Sequence, residues 1–516
     1  LAAPTATDAA SLQAALDAAD DNGGTVLVAG QIVLDEPLTY SGSNRLSILG
    51  VGNARIVGPV VEIAAPSNSG ARVGEETVGD GLQILSDADL RIIGVDFEGQ
   101  SGHGIYYEFP SSASGTTRFS LSRVNFAGQG LSGMWIEDQK GGSELAPVAI
   151  DSDASIDLRL RNVTVSGTGF ADDPAAMGMG SCADTSEFDG CAWSDFDGFR
   201  INEGGEGNIT FSFQSVGFFG NAGDGIEFDE TSNGGVSGSV VNSAFDGNGA
   251  QPQFPADLED GFDIDEAGDG VISVVMFNTT VNGNVDEGID LDGAGGGDIS
   301  LNAFNVTAVG NADENIKVSA FTETVLRDLT GDVIFDDEGE PEVEVDCTTG
   351  DLIFSLNNVN ADVSAEGRGA RFEECGDGDV RGFVRNSTFN GNLEDDGLRV
   401  DEEDNGTITL RMRDSEVVGS AGRGLRLTED GAGDIVAIID GSAFTDNDDT
   451  QIEFEESDGG ALDVTIEGST ILGVDGVLSL DAAEEDDGNG VVRIIGGTIS
   501  PAPVASEDSV DFQITP

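Results

Sequence analysis

The chain has 516 residues, 97 of them acidic and 22 basic, so its formal net charge is −75 at pH 7. Such a charge repels nucleic acids and anionic membrane surfaces and favours the binding of cations. No apolar run is long enough to span a membrane, so membrane insertion is not expected. Apolar residues nevertheless recur too regularly for a disordered chain, which indicates a folded, elongated or multidomain protein.

The N-terminal segment predicts a short amphipathic helix within residues 1–24. Its apolar face is formed by Leu12, Ala15, Leu16 and Ala19. A Gly23-Gly24 pair then ends the helix before a first strand. Because the sequence begins with Leu1 rather than Met, we expect that a targeting segment has been removed and that the protein is exported.

A period of 27 residues organises the chain from Phe199 onward, as the spacing from Phe199 to Ile226 shows. The first apolar residue of each repeat serves as an anchor, and the anchors are Phe199, Ile226, Phe262, Ile289, Ile316, Val343, Ala370, Leu398, Leu425, Ile452 and Leu478. The one long spacing, from Ile226 to Phe262, contains an insertion at about residues 250–260. A fixed period of this length is typical of solenoid proteins.

Three apolar columns per repeat predict three short strands, because apolar and polar residues alternate in each. The second column includes Ile353, and the third includes Phe389 but has Asp362 as a polar misfit. We therefore predict an all-β, single-stranded parallel β-helix of about 15 coils over residues 25–500, in which like residues stack at about 4.8 Å. A further insertion is expected at about 170–198, and residues 501–516 are assigned to a C-terminal tail.

Turn and cysteine residues also follow the repeat. An asparagine ladder is predicted for one turn, formed by Asn242, Asn278, Asn305 and Asn386. Cys347 and Cys375 fall in nearly the same turn of neighbouring repeats, and Cys182 and Cys191 bracket a short loop. Both pairs suit disulfides of an exported protein, with metal ligation or free buried thiols as the alternatives.

The N-terminal helix, the first strand and the three-strand repeat together resemble the right-handed parallel β-helix, or pectin-lyase-like, superfamily. This resemblance covers essentially residues 5–500 and implies a right-handed solenoid with a short capping helix. It does not select a function, because the fold hosts lyases, hydrolases, epimerases, tailspikes and adhesins. The polygalacturonate hydrolase motifs of the superfamily are not matched in order, and the single histidine, His103, is interpreted as a turn residue.

The resemblance also directs attention to calcium-dependent lyases, which place the ion and a basic residue on the outer face of the first sheet. Here Lys317 is expected beside Asp290 and Glu344 in adjacent coils. That set would supply calcium ligands and a catalytic base. The alternative, which we favour, is that Lys317 only forms ion pairs on a charged face.

Stacked carboxylates are the feature that most needs an explanation. Two outward columns are formed on three successive coils by Glu227, Asp229, Asp263, Asp265, Asp290 and Asp292. Like charges about 5 Å apart repel by roughly 1 kcal/mol even in water. Bound calcium would offset this repulsion, whereas the alternative is a solvated acidic face suited to a saline habitat.

These observations lead to two functional hypotheses. The first is an exported, cation-stabilised structural or adhesive module at the cell surface or outside the cell, including incorporation into a fibre or layer by self-assembly. The second is a calcium-dependent polysaccharide lyase or other carbohydrate-active enzyme. Polysaccharide or other surface proteins are the expected partners, and the insertion residues Trp193 and Phe254 would line a sugar-binding groove or cover apolar surface.

Overall fold

The computed structural model describes residues 4–61, 77–138, 152–169, 196–249, 259–325, 343–347, 349–457, 459–473, 476–484, 490–505 and 510–515. Within these residues there is one helix, α1 (Ala9–Asn22), and the rest of the regular structure is strand. This helix is not long and apolar enough to cross a membrane. The fold class predicted from the sequence, a β-solenoid with a short N-terminal helix, is confirmed.

The strands are numbered in chain order. The first nineteen are β1 (Thr5–Ala6), β2 (Gly24–Val33), β3 (Leu38–Tyr40), β4 (Leu46–Val57), β5 (Leu82–Leu85), β6 (Leu90–Glu98), β7 (Ile105–Glu108), β8 (Ser114–Ala127), β9 (Met134–Asp138), β10 (Asp153–Ser166), β11 (Phe199–Glu203), β12 (Ile209–Gln214), β13 (Gly217–Phe219), β14 (Ile226–Glu230), β15 (Val236–Val241), β16 (Ala244–Asp246), β17 (Phe262–Glu266), β18 (Ile272–Phe277) and β19 (Thr280–Asn282).

The remaining strands are β20 (Ile289–Gly293), β21 (Ile299–Phe304), β22 (Thr307–Val309), β23 (Ile316–Val325), β24 (Val343–Cys347), β25 (Leu352–Asn357), β26 (Ala370–Glu374), β27 (Val380–Arg385), β28 (Leu398–Glu402), β29 (Ile408–Arg413), β30 (Glu416–Val418), β31 (Leu425–Glu429), β32 (Ile435–Asp440), β33 (Ala443–Thr445), β34 (Ile452–Glu456), β35 (Leu462–Glu467), β36 (Thr470–Leu472), β37 (Leu480–Glu484), β38 (Gly490–Ile495), β39 (Thr498–Ser500), β40 (Val504–Ala505) and β41 (Val510–Thr515). They form parallel sheets, and β24 pairs antiparallel with β23 outside them.

Helix α1 begins at a capping box. The Asp8 carboxylate accepts the backbone N–H of Ser11 at 2.8 Å, and the Ser11 hydroxyl accepts the backbone N–H of Asp8 at 3.2 Å. Both contacts satisfy N–H groups that the first turn of a helix leaves without partners. Leu12 and Leu16 are fully buried, so the helix covers core surface as its apolar pattern predicts.

The chain divides into two compact units. The first unit comprises Leu1–Asp265, Val274–Asp290 and Gly310–Ala312, and the second comprises Glu266–Ser273, Leu291–Val309 and Asp313–Pro516. In each unit, one strand per coil joins what we call the first sheet. The outer face of this sheet is the side turned away from the core.

In the first unit, the first sheet contains β3, β5, β7, β9, β11, β14 and β17. Phe199 aligns with Met134 on one side and with Ile226 on the other, so anchor residues stack as the repeat predicts. Phe218 and Phe245 stack within the core with ring centroids 5.3 Å apart. Burial of such aromatic rings contributes roughly 2–3 kcal/mol each to the free energy of unfolding.

In the second unit, the first sheet contains β23, β26, β28, β31, β34, β37 and β40. Its register shows that Val343 was wrongly predicted as an anchor. Lys317 aligns with Arg371 of β26, whereas Glu344 of β24 aligns with Thr324 in an antiparallel hairpin. Strand β26 therefore follows β23 directly in the first sheet while β24 pairs back onto the end of β23, and the expected neighbourhood of Lys317 and Glu344 is wrong.

The same hairpin shifts the columns that follow it. Leu352, rather than Ile353, aligns with Ile299, and Leu352 is buried. Thr307 pairs with Asn360, so the inward residue of the third column is the buried Ala361 and not the misfit Asp362.

The last predicted anchor, Leu478, is also wrong. The residue that aligns with Ile452 is Leu480.

Two asparagine columns stabilise the turns. The predicted residues have left-handed backbones, with φ of 51° at both Asn242 and Asn278, and the Asn278 amide donates to Asn242 Oδ1 at 3.1 Å. A second column in the first unit was not predicted, although each member follows a glycine, and it consists of the buried residues Asn221, Asn248, Asn284 and Asn311. Successive amides of this column donate to the next side-chain oxygen at 2.9, 3.1 and 2.9 Å.

The predicted disulfide between Cys347 and Cys375 is confirmed, with Cα atoms 5.2 Å apart. Its structural reason differs from the expected one, because Cys347 ends the inserted hairpin strand instead of occupying a coil turn. Cys182 and Cys191 lie outside the described residues. Near the C-terminus, β41 pairs in parallel with β38 and so adds a strand to the solenoid within the segment assigned to a tail.

Candidate functional site

The outer face of the first sheet in the first unit is not a solvated surface. At the second position of successive strands lie Tyr106, Trp135, Arg200, Glu227 and Asp263. Their relative exposures are 1%, 3%, 3%, 6% and 8%. The carboxylates of Glu227 and Asp263 are thus shielded from water, which raises the free energy of each charge that lacks a counter-charge.

Arg200 is the centre of this face. Its guanidinium forms ion pairs with Asp197 at 3.7 Å, with Asp229 at 2.5 Å and with Glu227. It also lies 5.4 Å from the ring centroid of Trp135, within the range of a cation–π contact. The Arg200 side chain is only 4% exposed, so these ion pairs lie away from water, and its single positive charge offsets only part of the charge of the three carboxylates.

An aromatic cluster adjoins Arg200. Trp135 donates its indole N–H to Glu137 at 2.9 Å, and the His103 ring lies 5.4 Å from the Trp135 ring and 5.8 Å from the Tyr106 ring. His103 is fully buried and neither ring nitrogen has a hydrogen-bond partner. Burial lowers the pKa of the His103 imidazole, against a smaller opposing effect of Asp80, so the ring is neutral at pH 7.

Five of the six predicted calcium ligands fall in carboxylate clusters of the first unit. In each cluster, one oxygen from every member lies within 4.8 Å of the others. One cluster is Glu227, Asp229 and Asp265, a second is Asp224, Glu227 and Asp263, and a third is Asp260, Asp263 and Asp290. The clusters also contain Asp224 and Asp260, which are not among the predicted ligands.

A third acidic column was missed. It lies in the turn two residues before each anchor and consists of Asp197, Asp224, Asp260 and Glu287, all of them buried. The backbone N–H of Asp224 donates to Asp197 Oδ1 at 2.9 Å, and that of Glu287 donates to Asp260 Oδ1 at 2.7 Å. An acidic residue followed by glycine before each of the four anchors Phe199, Ile226, Phe262 and Ile289 is the sequence signal that predicts this column.

Asp260 shows the electrostatic consequence of this crowding. Burial raises the pKa of its carboxyl well above the usual range, and Glu287, Asp224, Asp290 and Asp263 raise it further. Neighbouring carboxylates in a dry site cannot all ionise without a counter-charge. Either protons or bound cations must therefore be present among these residues.

The donor set suits a hard divalent cation such as calcium. Calcium takes six to eight oxygen ligands at 2.3–2.6 Å in loose geometry, and carboxylates are its preferred protein ligands. Asp229 Oδ1 is buried without a hydrogen-bond partner, so it has an oxygen available for a cation. Asp265 in the same cluster is only half-buried, which leaves this edge of the site accessible from solvent.

The corresponding face of the second unit has a different character. Lys317 donates to Asp292, the sixth predicted ligand, at 3.3 Å, and both side chains are partly exposed. Further along the sheet, arginines pair with carboxylates of the same or the next strand: Arg371 with Glu373, Arg399 with Asp401, and Arg426 with Glu455. Predicted groove residues Trp193 and Phe254 lie outside the described residues.

No protein-family model matches the chain, and no curated protein matches it. Solved structures do match at low similarity. A tailspike protein named Dettilon gp208 is 11% identical with a TM-score of 0.32 over 94% of this chain, which spans 64% of the tailspike chain. The mannuronan C-5 epimerase AlgE4 A-module of Azotobacter vinelandii is 15% identical with a TM-score of 0.33, covering 100% of this chain and 95% of that one.

Pectate lyase Pel9A is 13% identical with a TM-score of 0.34, covering 66% of this chain and 69% of that one. These similarities concern the fold alone. The fold of this chain, a solenoid of parallel sheets with one N-terminal helix among the described residues, follows from its own strand pairing.

Proposed function

We propose that this chain is a cation-dependent carbohydrate-active enzyme, specifically a polysaccharide lyase, with its site on the outer face of the first sheet in the first unit. The observation that carries the proposal is the buried assembly of Arg200, three acidic columns and an aromatic cluster on that face. Ionisable groups whose protonation is strongly perturbed by burial and by a specific charged partner concentrate at functional sites. A purely structural face would leave such charges in water, where they cost little.

The proposed calcium site is the cluster of Glu227, Asp229 and Asp265, continued by Asp263 and Asp290. Arg200 holds Glu227 and Asp229 in position through two ion pairs. The half-buried Asp265 leaves room for a carboxylate of an acidic sugar to approach. Calcium bound there would supply charge neutralisation of a uronate carboxylate, which makes the neighbouring proton easier to remove.

Lys317 remains the candidate base that the sequence suggests, and its participation is a separate proposal because it lies in the second unit. Its ammonium group is engaged with Asp292, and it must give up that contact before it can accept a proton. A variant at this position therefore tests the base independently of the calcium site.

A structural or adhesive module is the second candidate. It is favoured by the second unit, where arginines neutralise the same face without any added ion. The Cys347–Cys375 disulfide supports an extracellular or cell-surface location for either function, because such bonds persist in oxidising compartments. In this case polysaccharide, other surface proteins or further copies of the chain would be the partners.

The deciding experiment is a cleavage screen on alginate, pectate and glycosaminoglycans, with calcium and with a chelator. A lyase releases an unsaturated uronate that absorbs ultraviolet light. If the enzyme depends on calcium, the absorbance of the reaction should increase with calcium and stay constant with the chelator. Asp229→Asn should abolish this signal without unfolding the protein, whereas Asp448→Asn, at an exposed turn, should leave it unchanged. Absence of cleavage on every acidic substrate, together with undiminished binding to one of them, would support the adhesive module instead.

A further inference from the structure

A column of glutamates occupies the last position of the first-sheet strands in the second unit. Glu402 of β28 aligns with Glu429 of β31, which aligns with Glu456 of β34. All three are fully buried. Sequence analysis did not identify this column, because a glutamate at the end of a strand resembles an ordinary exposed turn residue.

One carboxylate oxygen of each glutamate is bound by the turn that follows it. Glu429 Oε1 accepts the backbone N–H groups of Gly431 and Gly433 at 3.0 and 2.9 Å, and Glu402 Oε1 accepts that of Gly406 at 2.9 Å. Glycine is required there, since a Cβ at Gly433 would lie 1.6 Å from the carbonyl oxygen of Gly406. These contacts fix the carboxyl groups in place.

The other oxygen, Oε2, is buried in Glu402, Glu429 and Glu456 and accepts no hydrogen bond from a donor among the described residues. The flanking groups are acidic as well: Glu374 lies beside Glu402, and Glu484 and Asp434 lie near Glu456. None of the three glutamates has a lysine or arginine as an ion-pair partner among the described residues. Within the part of the chain that the structure describes, the column therefore lacks a positive counter-charge.

Neighbouring carboxyl groups at the strand spacing of about 4.8 Å would repel strongly in a dry interior if all were ionised. A single proton between two carboxyl oxygens removes the charge of one and forms a short, strong hydrogen bond with the other. Each gap offers two side-chain oxygens, which suits a proton and is fewer than the six to eight oxygens that calcium takes.

We propose that Glu402, Glu429 and Glu456 form a proton-sharing ladder, in which the Oε2–H of one glutamic acid donates to the carboxylate of its neighbour in the next coil. Loss of these protons breaks the ladder and loosens the second unit. The ladder is independent of the proposed enzymatic site, which lies in the first unit. It makes the second unit sensitive to pH through protons held inside the solenoid.

The direction of the pH effect follows from the pKa values. Burial, together with Glu402 and Glu456, raises the pKa of Glu429 to about 8, and burial raises that of Glu456 to about 7, from the ordinary value of 4.5. The contribution to stability is therefore complete below pH 4.5 and is lost as the pH rises through about 7 to 8.

Glu429→Gln tests this ladder, because the glutamine amide can donate to a neighbouring carboxylate without titrating. The melting temperature of the full chain is measured from about pH 5 to about pH 9 at constant ionic strength. We expect the variant to lose less melting temperature than the parent across this range, so that it is the more stable protein at the alkaline end. Glu467→Gln removes an exposed glutamate from β35 and should keep the parent's pH profile.

A local readout separates the ladder from other titrating groups. Hydrogen exchange of the Gly431 and Gly433 amides, corrected for the intrinsic pH dependence, should accelerate with rising pH in the parent and less so in Glu429→Gln. An equal loss of stability at every pH would overturn the proposal, since it would show a structural role for the carboxylate alone. The proposal would also be overturned if sodium or calcium restored the alkaline stability of the parent but not that of Glu429→Gln. That result would show that a metal ion, rather than a proton, neutralises the glutamate column.

Discussion

The outer face of the first sheet differs between the two units in how its carboxylates are neutralised. In the first unit, Arg200 pairs with Asp197, Glu227 and Asp229, while further carboxylates such as Asp260 crowd together. In the second unit, arginines recur on successive strands and each has a carboxylate partner. The same strand position thus yields a face that requires protons or cations and a face that compensates its own charge.

This difference shows that coils with the same backbone conformation can carry outward side chains with different functions. Strand pairing depends on the inward anchors, which are apolar in both units, so the outward residues can diverge without loss of the fold. A face that compensates itself needs no ligand. A face whose carboxylates lack enough cationic partners must obtain its counter-charge from solution. This is the basis for proposing the cation-dependent function for the first unit.

Arg200→Met should have the largest effect on stability. Removing the guanidinium that forms ion pairs with Glu227 and Asp229 leaves buried charges without this partner, at a cost of about 3–5 kcal/mol in the free energy of unfolding. The matched variant Arg399→Met in the second unit should cost about 1–2 kcal/mol, because Arg399 is partly exposed. Chemical denaturation measures both, and equal losses would contradict the contrast between the faces.

Calcium should stabilise the protein by about 2.7 kcal/mol per site when its concentration is one hundred times the dissociation constant. Asp263→Asn should remove much of this gain, since Asp263 belongs to two of the carboxylate clusters. Thermal unfolding at matched ionic strength provides the measurement, and Asp448→Asn is the exposed control. If sodium chloride alone reproduced the entire gain, charge screening rather than a specific site would account for it.

The calcium-free first unit should lose stability as the pH rises. The pKa of Asp260 is raised above 3.8, so its contribution is complete below that value and declines as the pH passes through the raised pKa. Calcium replaces the protons, so calcium affinity should increase over the same range. Titration calorimetry at several pH values measures this change, and Asp260→Asn should weaken the pH dependence. A pH-independent affinity would be inconsistent with proton displacement.

Lys317→Ala should have the smallest effect on stability, about 0–1 kcal/mol, because its ion pair with Asp292 is partly exposed. If Lys317 is the base of a lyase, the same variant should abolish cleavage. Asp292→Asn removes the ion pair but keeps the ammonium group, so it should retain activity. Cleavage by Lys317→Ala at the parent's rate would exclude Lys317 as the base and would leave the calcium proposal untouched.

The repeat predicted most of the inward columns, two of the three acidic columns and the Cys347–Cys375 disulfide, because each depends on residue type at a fixed spacing. It failed between Ile316 and Ala370, where an inserted hairpin has the length of one repeat and so mimics a coil. Only the pairing partner of Val343 distinguishes the two arrangements. Spacing carries no information about whether a strand pairs parallel or antiparallel.

Local pattern was sufficient for the solenoid, since alternation of apolar residues and regular turns specify strands that can bury their core only by stacking. The tertiary structure decided the environment of the charges. The sequence predicted Asp263 as an outward calcium ligand and did not single out Glu429, yet both are buried among other carboxyl groups. Burial depends on residues distant in the chain, and it is burial that converts an acidic residue into a site for a cation or a proton.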